Sequence, residues 1–252
     1  MDFLRRDVRS ENSAGFNLKG LLDFSALEKP VQEHLTRVYG ALAMALMVCS
    51  TTSFMVMQGI IPEAFCGLLS MIGMIGMTIY LVSMPVTPQN QDKRMAVFMG
   101  VAALMGMMMG PLLEVVARIN PALIFTAAMI TATIFTCFTL ASLLSGNQRQ
   151  FIYLGGTLSS LLMVNAVVRL YQIFTGSQMA FDISIYIGLV AVCGFVLYDT
   201  QMIVLKRRHG DTDHIKHALD LFIDAVSMFK HILVLLASKE NNRNTSERKR
   251  KN

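Results

Sequence analysis

Tryptophan is absent from these 252 residues, cysteine occurs four times, and charged residues make up only 15%. Ordinary globular chains are roughly a quarter charged, so a typical soluble enzyme is excluded. The cysteines, Cys49, Cys66, Cys137 and Cys193, lie in or beside apolar runs and form no Cys-x-x-Cys pair. That removes a disulfide-rich secreted module and a zinc site, and leaves them as packing residues. His-Glu-x-x-His, a phosphate-binding loop and Gly-x-Ser-x-Gly are also missing. No catalytic residue is assigned, and the chain is read as a non-enzyme without a bound cofactor. No cleavable signal peptide precedes the first apolar run, which is expected to act as an uncleaved signal.

What is present is apolar. Hydrophobic residues reach 54%, with 20 Met and 17 Gly, and the mean hydropathy is +0.51. Small glycines and adaptable methionines suit interlocked helices in a membrane. The net charge of +5 sits in short breaks and tails, an arrangement that reads as membrane topology and not as nucleic-acid binding.

A membrane-crossing helix needs about 20 mainly apolar residues. Uncharged runs cover Val38 to Pro62, Ala64 to Gln91, Met95 to Leu113, Ile119 to Gln148 and Gln150 to Val168. A sixth starts at Leu170, is broken once by Asp182, and resumes from Ile183 to Tyr198. A seventh, roughly Leu219 to Ser238, contains Asp220, Asp224, Lys230 and His231. Continuous apolar runs favour helices over a membrane barrel. The expected fold is an all-α polytopic membrane protein with six transmembrane helices and a polar seventh, spanning or re-entrant. Residues 1–37 form a tail, 38–238 the bundle and 239–252 a basic C-terminal tail. From Gly20 to Val38 the residues Leu21, Phe24, Leu27, Val31, Leu35 and Val38 share one helical face, which reads as an amphipathic segment on the membrane surface.

Lysine and arginine set the orientation. The N-terminal tail and the even-numbered connections carry 13 of them, against 2, Arg118 and Arg169, in the opposite connections. The N-terminus is therefore expected in the cytosol. The C-terminal tail adds 6 more; charge bias favours a re-entrant last segment, and both topologies stay open. Asn244-Thr-Ser is a glycosylation sequon that is usable only from a luminal tail.

Ionisable groups at membrane depth are costly and mark function. Asp199 ends the sixth run. His217, Asp220, Asp224, Ser227 and His231 recur at steps of 3, 4, 3 and 4, which puts all five on one helical face. That stripe either faces water on an interfacial helix or lines a polar path opposite Asp199. In the second case the two carboxylates cannot both ionise cheaply, and one proton is shared. Protonated, the pair ties two helices together; deprotonated, it repels and offers oxygen ligands of the kind calcium prefers. Gly110-Pro111 reads as a helix breaker, and Glu114 with Arg118 as an i,i+4 ion pair, structural or gating. His209, Asp211, Asp213, His214 and His217 match no strong metal spacing and read as a solvated loop, so no fixed metal site is expected.

The sequence resembles the Bax inhibitor family. The resemblance is carried by His34-Leu-Thr-Arg-Val-Tyr39, Gly110-Pro-Leu-Leu-Glu114 with Asn120-Pro121, and Ile134-Phe-Thr-Cys-Phe-Thr-Leu140. It continues through Gly188 to Gln201, His209-Gly-Asp211 and Asp220-Leu-Phe-Ile-Asp224, and spans roughly Glu28 to Ser238. It implies an endoplasmic reticulum membrane protein that suppresses apoptosis and lowers luminal calcium through a pH-sensitive leak, with calcium as the permeating ion. It also implies association with anti-apoptotic Bcl proteins and with stress-signalling membrane proteins. The family's di-aspartyl pH sensor falls on Asp199 and Asp224, with Asp220 an extra acidic neighbour. Bacterial relatives carry arginines at the end of the second span, where this chain has Met84-Pro-Val-Thr-Pro88. Two other classes are weighed. A non-conducting scaffold would act through partners alone. An intramembrane aspartyl protease would share Tyr198-Asp199 but needs Gly-x-Gly-Asp where this chain has Phe222-Ile-Asp224.

Overall fold

The computed structural model describes residues 28–144 and 148–251. Among them the elements are α1 (Lys29–Met57), α2 (Leu68–Ser83), α3 (Gln91–Ile119), α4 (Ala122–Leu144), α5 (Gln148–Thr175), α6 (Gln178–Arg208) and α7 (His214–Lys251), with 3-10 turns at Glu63–Phe65 and Pro88–Asn90. Six of the helices are long and apolar enough to cross a membrane. The polar last helix is among those six. The short one is α2, whose 16 residues rise about 24 Å, less than the ~30 Å of a hydrocarbon core.

Residue contacts fix the direction of each helix. Gly106 of α3 faces Cys49 of α1, and Gly110 faces Val56, so α1 and α3 run parallel. The intervening α2 must therefore carry the chain back, and Gly73 against Leu104 with Gly100 against Met77 make it antiparallel to α3. Arg94 meets Asp213 at the start of α7, and further along Phe98 meets Phe222 edge to face with ring centroids 5.8 Å apart, which sets α7 parallel to α3. In α6, Gly188 lies near Asn165 and Gly194 on Leu158 of α5, while Gly188 meets His231 and Asp199 meets Asp224 of α7, so both neighbours are antiparallel to it. The described residues thus pass along the bundle seven times, and Lys29 and Lys251 lie toward opposite faces.

This geometry decides between the two topologies left open for the last segment. From His214 to Lys251 it is one uninterrupted helix, not a dip that returns. A polar helix can cross because its polar residues are turned inward: His217 and Asp224 are both buried. Charge counting favoured re-entry because it weighs only what flanks a segment and ignores what satisfies it within the bundle.

Three further expectations shift. Pro111 does not break a helix, since α3 continues through it to Ile119; surrounding helices make such interruptions tolerable in a bundle. The sixth apolar run does not begin a helix at Leu170, which still belongs to α5; the turn comes at Gly176, whose φ of 63° favours glycine. Asp182 then falls in the second turn of α6. Last, the C-terminal half of the amphipathic segment is the start of α1, nine residues before the uncharged run. Val31, Leu35 and Val38 are buried in the bundle core, not laid on a membrane surface. Leu21, Phe24 and Leu27 lie outside the described residues.

The core has two parts. At one end α1, α3 and α7 enclose Val38, Phe98, Ile215 and Phe222. Toward the other, Val116, Ala127, Val196 and Met228 join α3, α4, α6 and α7. α5 packs chiefly on α6 and stands at the flank. Large apolar side chains such as Phe125, Met163, Ile173 and Phe174 are exposed around the outside. In water that surface would be a liability; against lipid it has the right polarity.

Candidate functional site: a polar seam between the last two helices

Helical spacing puts His217, Asp220, Asp224, Ser227 and His231 on one side of α7, and the bundle closes over that side. The five do not form one continuous path, because each stretch meets a different neighbour.

In the middle, α6 brings Asp199 to Asp224. Their carboxyl groups are close enough for each to feel the other's charge. Asp224 is buried and its Oδ2 has no partner, whereas Asp199 is half-buried. Asp220, one turn earlier on α7, is half-buried and feels the charge of Asp199. Lys206, two turns along α6, is the cation whose charge reaches both Asp199 and Asp220. Two carboxyl groups this close in a low-dielectric setting are stable together when they hold one proton between them. α4 braces this part of α6. Ser142 Oγ donates to Leu197 O at 2.8 Å, and Gln201 Nε2 donates to Ser142 O.

At the end where α1, α3 and α7 begin, His217 turns away from Asp199. His34 Nε2 and His217 Nδ1 stand 2.9 Å apart, so one ring donates and the other accepts. Asp211 Oδ2 is 3.6 Å from His217 Nε2, which favours the form in which His217 keeps its proton there and His34 donates. Beside this pair Arg94 reaches across from α3. Its Nη1 and Nη2 donate to the two carboxylate oxygens of Asp213 at 2.8 and 2.6 Å. Asp213 also caps α7, accepting from the Lys216 amide at 3.1 Å. Burial pushes the Asp213 carboxyl up, but the Arg94 guanidinium and the Lys216 amide outweigh it and hold it below the usual carboxylate range.

The connection before α7 is therefore not a solvated loop throughout. His209 is exposed, but Asp213 and His217 are buried, because bidentate pairing and capping repay their desolvation. Nor does Arg94 take the place of the bacterial arginines at the aspartate pair, since it is committed to Asp213.

At the opposite end Arg169 of α5 donates from Nη2 to His231 Nε2 at 3.2 Å, while His231 Nδ1 donates to Ser227 O at 2.7 Å. Glu114 and Arg118 form their ion pair at 2.5 Å within the last turns of α3, with Arg118 78% exposed, a pair that spans one helical turn at the bundle end.

Sequence reasoning named Asp199, Asp224, Asp220, His217, Ser227 and His231 but missed His34, Arg94 and Asp213 as partners. A signal existed for Asp213, an N-cap residue just before an apolar periodic stretch. Nothing in the sequence ties Arg94 to a residue more than a hundred positions away.

Comparison with known proteins finds similarity over nearly the whole chain. The family described as inhibitor of apoptosis-promoting Bax1 matches residues 31–241. Bax inhibitor 1 of Homo sapiens is 39% identical over 224 residues, which cover 89% of this chain and 93% of the relative. Bax inhibitor 1 of Arabidopsis thaliana is 36% identical over 225 residues, 89% and 88% of the two chains. Bax inhibitor 1 of Oryza sativa subsp. japonica is 33% identical over 240 residues, 95% and 93%.

Proposed function

The chain belongs to the Bax inhibitor family of multi-pass membrane proteins, and on that premise we propose that it restrains apoptosis as a pH-sensitive calcium leak in the endoplasmic reticulum membrane, gated by Asp199 and Asp224. One observation carries this reading: the two carboxyl groups meet inside the bundle on two different helices. With a proton between them the pair holds α6 to α7. Loss of that proton leaves two like charges in contact, which drives the helices apart and exposes carboxylate oxygens. Calcium takes carboxylate and carbonyl oxygens, so an opened acidic seam is a suitable passage for it. Asp220 extends the acidic lining by one turn, and Lys206 moderates it. Calcium is here the transported ion, not a resident metal, and no cofactor is invoked.

The N-terminus is placed in the cytosol, on the lysine and arginine bias of the connections. Anti-apoptotic Bcl proteins and stress-signalling membrane proteins are the proposed partners, and nucleic acid is not among them. The reading is non-enzymatic. An intramembrane protease needs glycines beside its second aspartate so that an unwound substrate can approach, and here Phe222-Ile-Asp224 lies on the continuous helix α7.

The test is calcium flux from liposomes containing the purified full chain, followed across pH. A leak whose size changes with pH supports the proposal. A protein silent under all conditions would transfer the role to a scaffold that acts through partner binding alone.

A further inference from the structure

Arg169 is a cation at membrane depth without a counter-charge. It belongs to the apolar stretch Tyr153–Thr175, which is long enough to cross a membrane. Six residues separate it from the end of α5 at Thr175, about 9 Å along the helix axis. Exposed apolar side chains border it, Val167 before it, Leu170 after it and Ile173 one turn on. Charged groups in such stretches ordinarily face the bundle interior and are paired there. Arg169 is exposed instead, and none of the ion pairs among the described residues includes it.

Its hydrogen bond to α7 fixes the guanidinium without neutralising it. Arginine can only donate, so His231 Nε2 accepts from Arg169 Nη2 at 3.2 Å, while His231 Nδ1 donates to the Ser227 carbonyl. A ring that accepts at one nitrogen and donates at the other is uncharged. Lys230, the residue before His231, is exposed and also absent from the ion pairs of the described residues. The charges that reach His231 are those of Arg169 and Lys230, both positive. Two carboxylates at this end of the bundle are engaged elsewhere, Glu114 with Arg118 and Asp182 with Gln178 at 3.4 Å. The protein thus places a second positive charge where a negative one is required.

We propose that Arg169 and Lys230, on either side of His231, form a binding site for the headgroup phosphate of an anionic glycerophospholipid, in the leaflet on the side where α5 ends. Arg169 is the anchor. Its guanidinium presents donors in a planar fork that matches phosphate oxygens; His231 engages one of them, and the others are left for the ligand. The same bond ties to α7 a side chain that would otherwise snorkel to the interface. Lys230 makes the site doubly positive, which favours a headgroup with net negative charge over a zwitterionic one. Basic pockets between membrane helices take anionic headgroups on this principle. The site does not depend on the leak reading, and its test reads lipid retention and not flux.

The test is native mass spectrometry of the purified full chain, released from phosphatidylcholine nanodiscs that contain dioleoyl phosphatidylglycerol. One phosphatidylglycerol should be retained in preference to phosphatidylcholine. Arg169→Gln combined with Lys230→Gln should lower that retention about tenfold or more, since each basic group near a headgroup contributes several-fold. Arg169→Lys, which keeps the charge and loses the fork, should lower it less. Replacing Lys249, Arg250 and Lys251 by Gln in the basic tail should leave the retained lipid in place, and this comparison with Arg169→Lys decides the matter if the double variant fails to fold. Retention that survives the double variant, or that falls with the tail variant and not with Arg169→Lys, would assign the lipid to diffuse surface charge and overturn the site. Displacement of the lipid by inorganic phosphate would put a soluble anion there and overturn the lipid assignment.

Discussion

Arg94 on α3 holds both carboxylate oxygens of Asp213, the residue that caps α7, with the guanidinium only 1% exposed. Two helices far apart in sequence are thereby joined at one end of the bundle. Removing one member of such a pair leaves an uncompensated buried charge.

Asp213→Asn and Arg94→Met should each lower stability by about 3–5 kcal/mol, read as a fall in unfolding temperature in detergent. The paired replacement Arg94→Met with Asp213→Leu should be less harmful than either alone. The pH dependence has a definite sign. The Asp213 carboxyl is held below its usual value, so its stabilisation is complete above the ordinary carboxylate value of about 4 and fades only as pH falls through the lowered one. The gap between parent and Asp213→Asn should be constant from pH 5 to 8, on the order of a few kcal/mol, and shrink only in stronger acid. A gap that narrowed between pH 7 and 5 would contradict the assignment.

Asp224→Asn removes the charge that opposes Asp199 and keeps a hydrogen-bonding side chain. In reconstituted liposomes the variant should lose the pH dependence of calcium flux, and not merely rescale it. Asp199→Asn should do the same, and the double variant should be no worse than either, as expected of two groups acting as one. Asp220→Asn should shift the profile modestly. A profile for Asp224→Asn that superimposes on the parent's would end the gating proposal.

At Gly106 the backbones of α1 and α3 approach closely, and a methyl group there would collide with the Cys49 carbonyl and crowd Thr52. Backbone cannot step aside as a flexible side chain can. Gly106→Ala should therefore destabilise by about 1–3 kcal/mol, whereas Gly76→Ala, with open space around it, should change the unfolding temperature little.

Seven passes put the two tails on opposite faces. With the N-terminus in the cytosol, a spacer-extended copy of the Asn244 sequon should be glycosylated in microsomes, and the N-terminal tail should be cut by added protease while the C-terminal tail is protected. Cleavage of both tails from outside would refute the seven-pass register.

The sequence made the architecture legible because lipid imposes a simple rule, long uncharged runs between charged breaks, and five of the runs became helices long enough to cross. It was less legible where contacts within the bundle override that rule. The 28-residue run from Ala64 to Gln91 yields only the 16 residues of α2, since Gly67 and the two prolines, Pro85 and Pro88, consume its ends. The last helix looked too polar to cross because its partners, Asp199, His34 and Arg169, lie far away in sequence. Asp199 could be set opposite the acidic stripe of α7 in advance, as an ionisable group at depth on the adjacent helix, but the choice of Asp224 over Asp220 came from the family resemblance. His217 could not be separated from them, since helical spacing assigns a face but not the neighbour that each part of that face meets.

The length of α7 has a mechanical consequence. Its 38 residues extend about 57 Å, nearly twice the hydrocarbon thickness. Asp224 lies in its first third, and Lys249 lies 25 residues further along, some 38 Å away at a rise of about 1.5 Å per residue. A tilt of about 5° at the aspartates, too small to unseat the core, displaces the tip by roughly 3 Å over that arm. The basic tail is thus the far end of a long rigid arm, and a small tilt where α7 meets α6 becomes a large displacement at its tip.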